Sequence, residues 1–150
     1  MPKPVIYIIL GPNHNMLGQR EPDLYGTQTM GDVEAFCSEE AAKLGVEIVF
    51  RQSNHEGDLL DWIHEANGKS VGVVLNASAL ARTSLVLQST VKAVTVPVIE
   101  VHVTNIFRRD DRPGSELSKV ASGLITGFGA DTYRLGMLAV CRMAGLDKTS

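Results

Sequence analysis

The sequence predicts one α/β domain built on a five-stranded parallel sheet with helices on both faces. Three observations carry the prediction. Five short apolar runs rich in β-branched residues recur along the 150-residue chain. Most are continuously apolar instead of alternating, as strands covered on both faces of a parallel sheet are. Segments with helical periodicity lie between them, the order that right-handed β-α-β crossovers produce. A chain of this length has the usual size of one compact domain, and no repeat, low-complexity tract or linker divides it.

The first run, "VIYIIL" (5–10), leads from "MPKP" directly into "GPNHN" without a small-residue cleavage site, so it reads as a strand and not as a signal peptide. "TMGDVEAFCSEEAAKLG" (29–45) is the first helix. Thr29 followed by Asp32 makes an acidic variant of the capping box, and Gly45 is placed to stop it. Val33, Phe36, Cys37 and Leu44 fall on one face, while Glu34, Glu39, Glu40 and Lys43 tend to the other. "VEIVF" (46–50) is the second strand. "GDLLDWIHEANG" (57–68) follows as a helix with Leu59, Trp62, Ile63 and Ala66 on one face and Gly68 as its stop. The strands "VGVVL" (71–75), "VPVIEVHV" (96–103) and "ASGLITGFG" (121–129) come next. "TSLVLQSTVKAV" (83–94) is the helix after the third strand, and "ADTYRLGMLAVCRMAGL" (130–146) is the last.

Composition narrows the function classes. The chain is 44% hydrophobic and 21% charged, as ordinary globular proteins are. A net charge of −3 argues against a nucleic-acid partner, which a basic excess would favour. No apolar stretch approaches the ~18 residues of a membrane span. Cys37 and Cys141 lie far apart in helix-like segments and in no CxxC pair, so both are expected as buried thiols of a cytoplasmic protein.

In open parallel sheets, ligands bind beyond the carboxyl ends of the strands. That rule gathers Asn13, Arg20 and Tyr25 after strand one, "RQSNHEG" after strand two, and Asn76 to Ser84 after strand three. Glu100, His102, Thr104 and Asn105 lie at the end of strand four. "GPNHNMLG" lacks both GxGxxG and GxxxxGK[ST], so a nucleotide site has little support. His14, His55, His64 and His102 are scattered without metal-ligand spacing, and there is no GxSxG elbow.

Glu100 and His102 sit two apart on a strand and leave the same face. A carboxylate beside an imidazole orients the ring and suits it to general acid catalysis near neutrality; a purely structural strand-end pair is the competing account. Tyr25 could be an aromatic packed under a loop. Arg20 nearby shifts that balance, because a fixed positive charge makes a phenolate more accessible. Together these residues supply a base and an acid on separate elements.

Several long stretches, taken in order, carry a resemblance: "GPNHNMLGQREPDLYG", "RQSNHEGDLLDWIHEA", "NASALARTS", "EVHVTN" and "GFGADTY". They resemble type II 3-dehydroquinate dehydratase, over nearly the whole chain. The resemblance implies a flavodoxin-like sheet in the order 2-1-3-4-5. It also implies anti elimination of water from 3-dehydroquinate through an enolate, with no cofactor and no Schiff-base lysine. Carried over residue by residue, Tyr25 would remove the C2 proton as a tyrosinate held by Arg20. Asn13, with the backbone near Pro12, would position a water that stabilises the enolate oxygen. His102, oriented by Glu100, would protonate the departing hydroxyl. Asn76, the Val103 backbone and Thr104, where the family usually has serine, would hold the substrate carboxylate. The loop carrying Arg20 and Tyr25 would close over the site. The family also assembles as a trimer-based dodecamer, so a homo-oligomer is implied.

Departures from the family pattern share one location. "ARTS" stands where the family usually has "THTS", which puts Arg82 in place of a histidine that helps bind substrate hydroxyls. Gln88-Ser89 replaces an Arg-Asp pair whose aspartate reaches a neighbouring subunit. "FRRDDRPGS" (107–115) is shorter than its counterpart, leaving Arg109 and Arg112 as candidate substrate contacts. The exchange alters local charge by roughly one to two units. Three readings follow: Arg82 takes over as hydroxyl donor to dehydroquinate; the pocket takes a related cyclic hydroxy-keto acid; or the chain binds such acids without catalysis.

Overall fold

A computed structural model describes residues 2–18, 28–108 and 114–146. Five parallel strands form one sheet in the order β2-β1-β3-β4-β5: β1 (Val5–Leu10), β2 (Glu47–Gln52), β3 (Gly72–Asn76), β4 (Val98–His102) and β5 (Gly123–Thr126). This is the flavodoxin-like order expected from the sequence. The helices are α1 (Met30–Leu44), α2 (Glu56–Lys69), the single turn α3 (Leu80–Thr83), α4 (Leu85–Ala93) and α5 (Asp131–Met143).

Strand alternation divides the core into two layers. Ile6, Ile8 and Leu10 of β1, Val74 of β3, and Ile99 and Val101 of β4 pack against α1 and α5 through Val33, Cys37, Ala41, Tyr133, Met137 and Val140. Tyr7, Ile9, Val73, Leu75 and Val98 face the other way, onto Leu59, Ile63 and Ala66 of α2 and Leu87 and Val91 of α4. Both faces are therefore buried, which is why the central runs read as continuously apolar. Phe36, Leu44 and Trp62 lie on the expected faces but are only partly buried. Cys37 and Cys141 are both buried, and burial pushes the Cys37 thiol up to about 12.

The helix signals hold at α1. Asp32 N–H donates to Thr29 Oγ1 at 3.1 Å, Thr29 N–H donates to Asp32 Oδ2 at 3.0 Å, and Gly45 ends the helix at φ 75°. Several boundaries differ from expectation: β4, β5 and α5 are shorter than the runs 96–103, 121–129 and 130–146, and three further differences have a visible cause. Gly68 does not stop α2: the helix runs on to Lys69, and Ser70 ends it by directing both its N–H and its hydroxyl at the Ala66 carbonyl. The segment 83–94 is two helices, broken where Ser84 adopts extended geometry to cap α4 at Leu87 N–H. β2 continues through polar Arg51 and Gln52, because its backbone keeps pairing with Ile9 and Leu10 of β1.

Register sets the working edge. Leu10 lies between Gln52 and Asn76, Leu75 pairs with Glu100, and His102 pairs with Thr126. The strands thus finish at nearly one level, with polar side chains at their carboxyl ends.

Candidate active site

At the end of β4, Glu100 is fully buried and surrounded by three donors. His102 Nε2 lies 2.5 Å and Ser115 Oγ 2.6 Å from its Oε2, and Ser118 Oγ lies 2.7 Å from its Oε1. Burial pushes the carboxyl upward, but the donors outweigh it and hold Glu100 below its ordinary range. An ionised carboxylate only accepts, so His102 Nε2 must carry a hydrogen. The other ring nitrogen, Nδ1, has no protein partner, yet no buried side-chain polar atom among the described residues is left unsatisfied. Nδ1 is therefore not sealed off from solvent, and it carries a hydrogen to give up only when the ring is protonated on both nitrogens.

The turn after β1 is bracketed from β2. Gln52 Nε2 donates to the Gly11 carbonyl and to Asn54 Oδ1, each at 3.2 Å, and Asn54 Oδ1 also accepts from Asn13 N–H at 2.9 Å. Asn13 takes the left-handed conformation at φ 72° and opens the short turn of helix His14–Met16. Gly11 N–H donates to the Asn76 carbonyl at 2.8 Å. A Cβ at Gly11 would lie 2.7 Å from the Ala77 carbonyl oxygen, so this close crossing of two strand ends requires glycine.

Asn76 projects toward α5, from the face opposite Glu100 and His102. Its buried Nδ2 donates to Tyr133 Oη at 2.9 Å, and its Oδ1 accepts from Ser78 N–H at 3.3 Å, which fixes the amide orientation. Beyond β4, the carbonyls of His102, Val103 and Thr104 accept from Gly127 N–H, Gly129 N–H and Thr126 Oγ1, each at 2.9 Å. This lacing holds Val103 and Thr104 at the edge beside His102. Arg82 ends α3, partly buried, and its guanidinium makes no hydrogen bond or ion pair among the described residues. Next to it, Ser84 Oγ donates to Glu56 Oε2 at 2.5 Å, tying α4 to α2.

Asn13, Asn76, Glu100, His102, Val103, Thr104 and Arg82 thus all stand at the carboxyl ends of β1, β3 and β4 or just beyond them. Arg20, Tyr25, Arg109 and Arg112 lie outside the described residues. No cluster of three His, Cys, Asp or Glu that could hold a metal occurs among the described residues. A shallow groove lined by Lys3, Ser38, Ala42 and Glu47 lies at the opposite, amino end of the sheet and contains none of the site residues.

The model of the family described as dehydroquinase class II matches residues 4–141. The chain belongs to the class II dehydroquinase family. It is 53% identical over 136 residues to a 3-dehydroquinate dehydratase of Azorhizobium caulinodans and 47% identical over 136 residues to one of Rhizobium meliloti, covering in each case 90% of this chain and 92% of the relative. Among solved structures, type II dehydroquinase from Propionibacterium acnes superposes with a TM-score of 0.87 at 33% identity, covering 96% of this chain and 98% of that one.

Within this class II dehydroquinase fold, several residues that build the site carried no legible signal. Ser115 and Ser118 complete the Glu100 cage, Gln52 and Asn54 brace the turn at Asn13, and Tyr133 fixes Asn76. "RQSNHEG" and "GFGADTY" held Gln52, Asn54 and Tyr133 in view without a role. The pairing of each with its target is long-range, and only the fold reveals it.

Proposed function

We propose that this chain is a 3-dehydroquinate dehydratase that converts 3-dehydroquinate to 3-dehydroshikimate by anti elimination of water through an enolate. The observation that carries the reading is the buried Glu100–His102 pair, whose imidazole keeps Nδ1 within reach of solvent in a chain of this family. Proton abstraction at C2 leaves an electron pair in the enolate. Its collapse forms the C1–C2 double bond and expels the C1 hydroxyl, which the imidazolium form of His102 protonates from Nδ1 so that it departs as water and the ring is left neutral with its hydrogen on Nε2. In this reading Tyr25, kept as phenolate by Arg20, is the base, and Asn13 positions the water that stabilises the enolate oxygen. Asn76, the Val103 backbone and Thr104 hold the carboxylate, with Arg82, Arg109 and Arg112 around the rest of the ring.

Adding 3-dehydroquinate to the full chain tests the reading. Ultraviolet absorbance of the enone product rises with the wild type and stays flat with Tyr25→Phe. Thermal stabilisation by dehydroquinate without any absorbance rise would mean a binder and not an enzyme. The uncompensated guanidinium of Arg82 favours one second reading, a related cyclic hydroxy-keto acid bearing a further anionic group. A kcat/KM on dehydroquinate far below about 10⁴ M⁻¹s⁻¹ would support it.

The same reading includes a trimer-based homo-oligomer acting in the cytoplasm. Leu85 and Val86 at the start of α4 are 76% and 51% exposed, and an assembly would cover them. Sedimentation tests this: a monomer at micromolar concentration would sink it. The two buried thiols are consistent with a reducing compartment.

A further inference from the structure

We propose that His14 is a specificity residue that presents the lone pair of its Nε2 to a ring hydroxyl of the substrate. The inference rests on the dehydratase reading above, since it needs a polyhydroxylated ring as ligand. The geometry begins at the other nitrogen. His14 Nδ1 lies 3.1 Å from the Gly11 carbonyl oxygen, which can only accept, so Nδ1 carries the hydrogen and Nε2 is the acceptor of the neutral ring.

The ring is held in place. The Gly11 carbonyl that anchors it also receives Gln52 Nε2, and Asn54 ties the neighbouring Asn13 backbone to β2. His14 is partly buried, yet Nε2 has no protein partner. Because no buried side-chain polar atom goes unsatisfied among the described residues, Nε2 is within reach of solvent, on a turn that stands at the carboxyl end of β1. His102 Nδ1 is open by the same reasoning, and the two imidazoles lie within electrostatic reach of each other. His14 thus offers a lone pair, and His102 offers a proton when its ring carries both hydrogens.

Neutrality of His14 is favoured by its surroundings. Burial lowers its pKa, the Gly11 contact raises it, and the charge of His102 lowers it further, with a net lowering. His102, from β4, is the one described titratable group whose charge acts on His14. Gln52 and Asn54 on the β2 side are neutral amides. The acceptor state therefore persists through neutral pH and is lost only when acid protonates the ring.

Steady-state kinetics of the full chain on 3-dehydroquinate, with His14→Leu and His14→Gln, tests the inference. A hydroxyl held equally in ground and transition states affects binding alone, so His14→Leu raises KM about tenfold with kcat within about twofold. His14→Gln, whose amide oxygen supplies an acceptor, recovers most of that loss. The KM of the wild type also rises at acid pH, whereas that of His14→Leu does not. An unchanged KM in His14→Leu overturns the inference while leaving the dehydratase reading intact. Equal impairment of the Leu and Gln variants would reduce His14 to a structural role and overturn it as well. Absence of wild-type turnover overturns both.

Discussion

Asn76 and Tyr133 meet in the protein interior, the Asn76 side-chain amide donating to the Tyr133 phenol oxygen across 2.9 Å. They are 57 residues apart in the chain, one at the end of β3 and the other in the first turns of α5. Burial pushes the phenol's pKa up, further from ionisation, so it remains a neutral partner at any working pH. Ser78 N–H, which can only donate, holds Asn76 Oδ1 and so leaves Nδ2 for the phenol oxygen.

Tyr133→Phe keeps the ring and removes the oxygen, leaving Asn76 Nδ2 buried without its acceptor. The expected cost is about 1–3 kcal/mol of stability, read as a lower urea midpoint. If Asn76 holds the substrate carboxylate, KM on dehydroquinate also rises several-fold while kcat changes less. An unaltered KM in a destabilised variant would separate Tyr133 from binding.

The Glu100 cage predicts a pH effect of definite sign. The folded chain holds this carboxyl below its ordinary range, so the unfolded chain binds the proton more readily. Its contribution to stability is therefore fully present above the ordinary carboxyl pKa, about 4.3, and disappears as pH falls through the lower folded value. Ser115→Ala combined with Ser118→Ala removes two of the three donors and raises the folded pKa. Acid unfolding followed by circular dichroism should then begin at higher pH than in the wild type. An unmoved acid midpoint would show that the serines do not stabilise the carboxylate.

Glu100→Gln addresses catalysis directly. The amide can still contact the ring but brings no charge to orient and support a protonated imidazole. Loss of an effective general acid typically lowers rate by about 10²–10⁴-fold, and kcat should fall within that range with KM little changed. Wild-type kcat in Glu100→Gln would leave the pair a structural one.

Why some of this was legible and some was not follows from what each signal records. β1, β3 and β4 are buried on both faces, and a continuous apolar run reports that burial directly. The edge strand β2 ends in Arg51 and Gln52, whose pairing with β1 belongs to the backbone and leaves no hydrophobic trace. Gly68 resembled a stop, but α2 ends where Ser70 can bond back to Ala66, a local hydrogen bond that propensity does not encode. Among site residues, Glu100 and His102 were readable because two-residue spacing on a strand fixes a shared face. The supports of Glu100 come from 15 and 18 residues downstream, and those of the Asn13 turn from 41. No short-range pattern reaches that far. His14, set aside as one of four scattered histidines, gains meaning only from its contact with the Gly11 carbonyl and its nearness to His102.

Gly11→Ala tests the strand crossing under the site. The new methyl would sit 2.7 Å from the Ala77 carbonyl oxygen, a backbone atom with no rotamer to change. Gly11 N–H is itself bonded to the Asn76 carbonyl, so relief requires β1 and β3 to separate at their ends. Overpacking of this kind costs about 1–3 kcal/mol. The displaced turn carries Asn13 and His14, and a shift near 1 Å can reduce rate by about 100-fold. Differential scanning calorimetry and kcat/KM measure the two consequences together, and retention of both at wild-type values would show that the crossing is looser than described.

Asn54→Ala isolates positioning from stability. The Asn54 side-chain oxygen accepts from Asn13 N–H and from Gln52 Nε2, and both bonds are exposed to solvent. Water can replace an exposed acceptor, so unfolding free energy should change by no more than about 0.5–1 kcal/mol. Water cannot fix the direction of the Asn13 backbone as Asn54 does from the end of β2. If Asn13 orients the water that stabilises the enolate, the loss falls on the transition state, and kcat should drop about tenfold with KM nearly constant. A variant in which KM alone rises would assign Asn13 to substrate binding and remove it from the oxyanion site. One in which neither constant moves would show that Gln52, through its bond to Gly11, suffices to hold the turn.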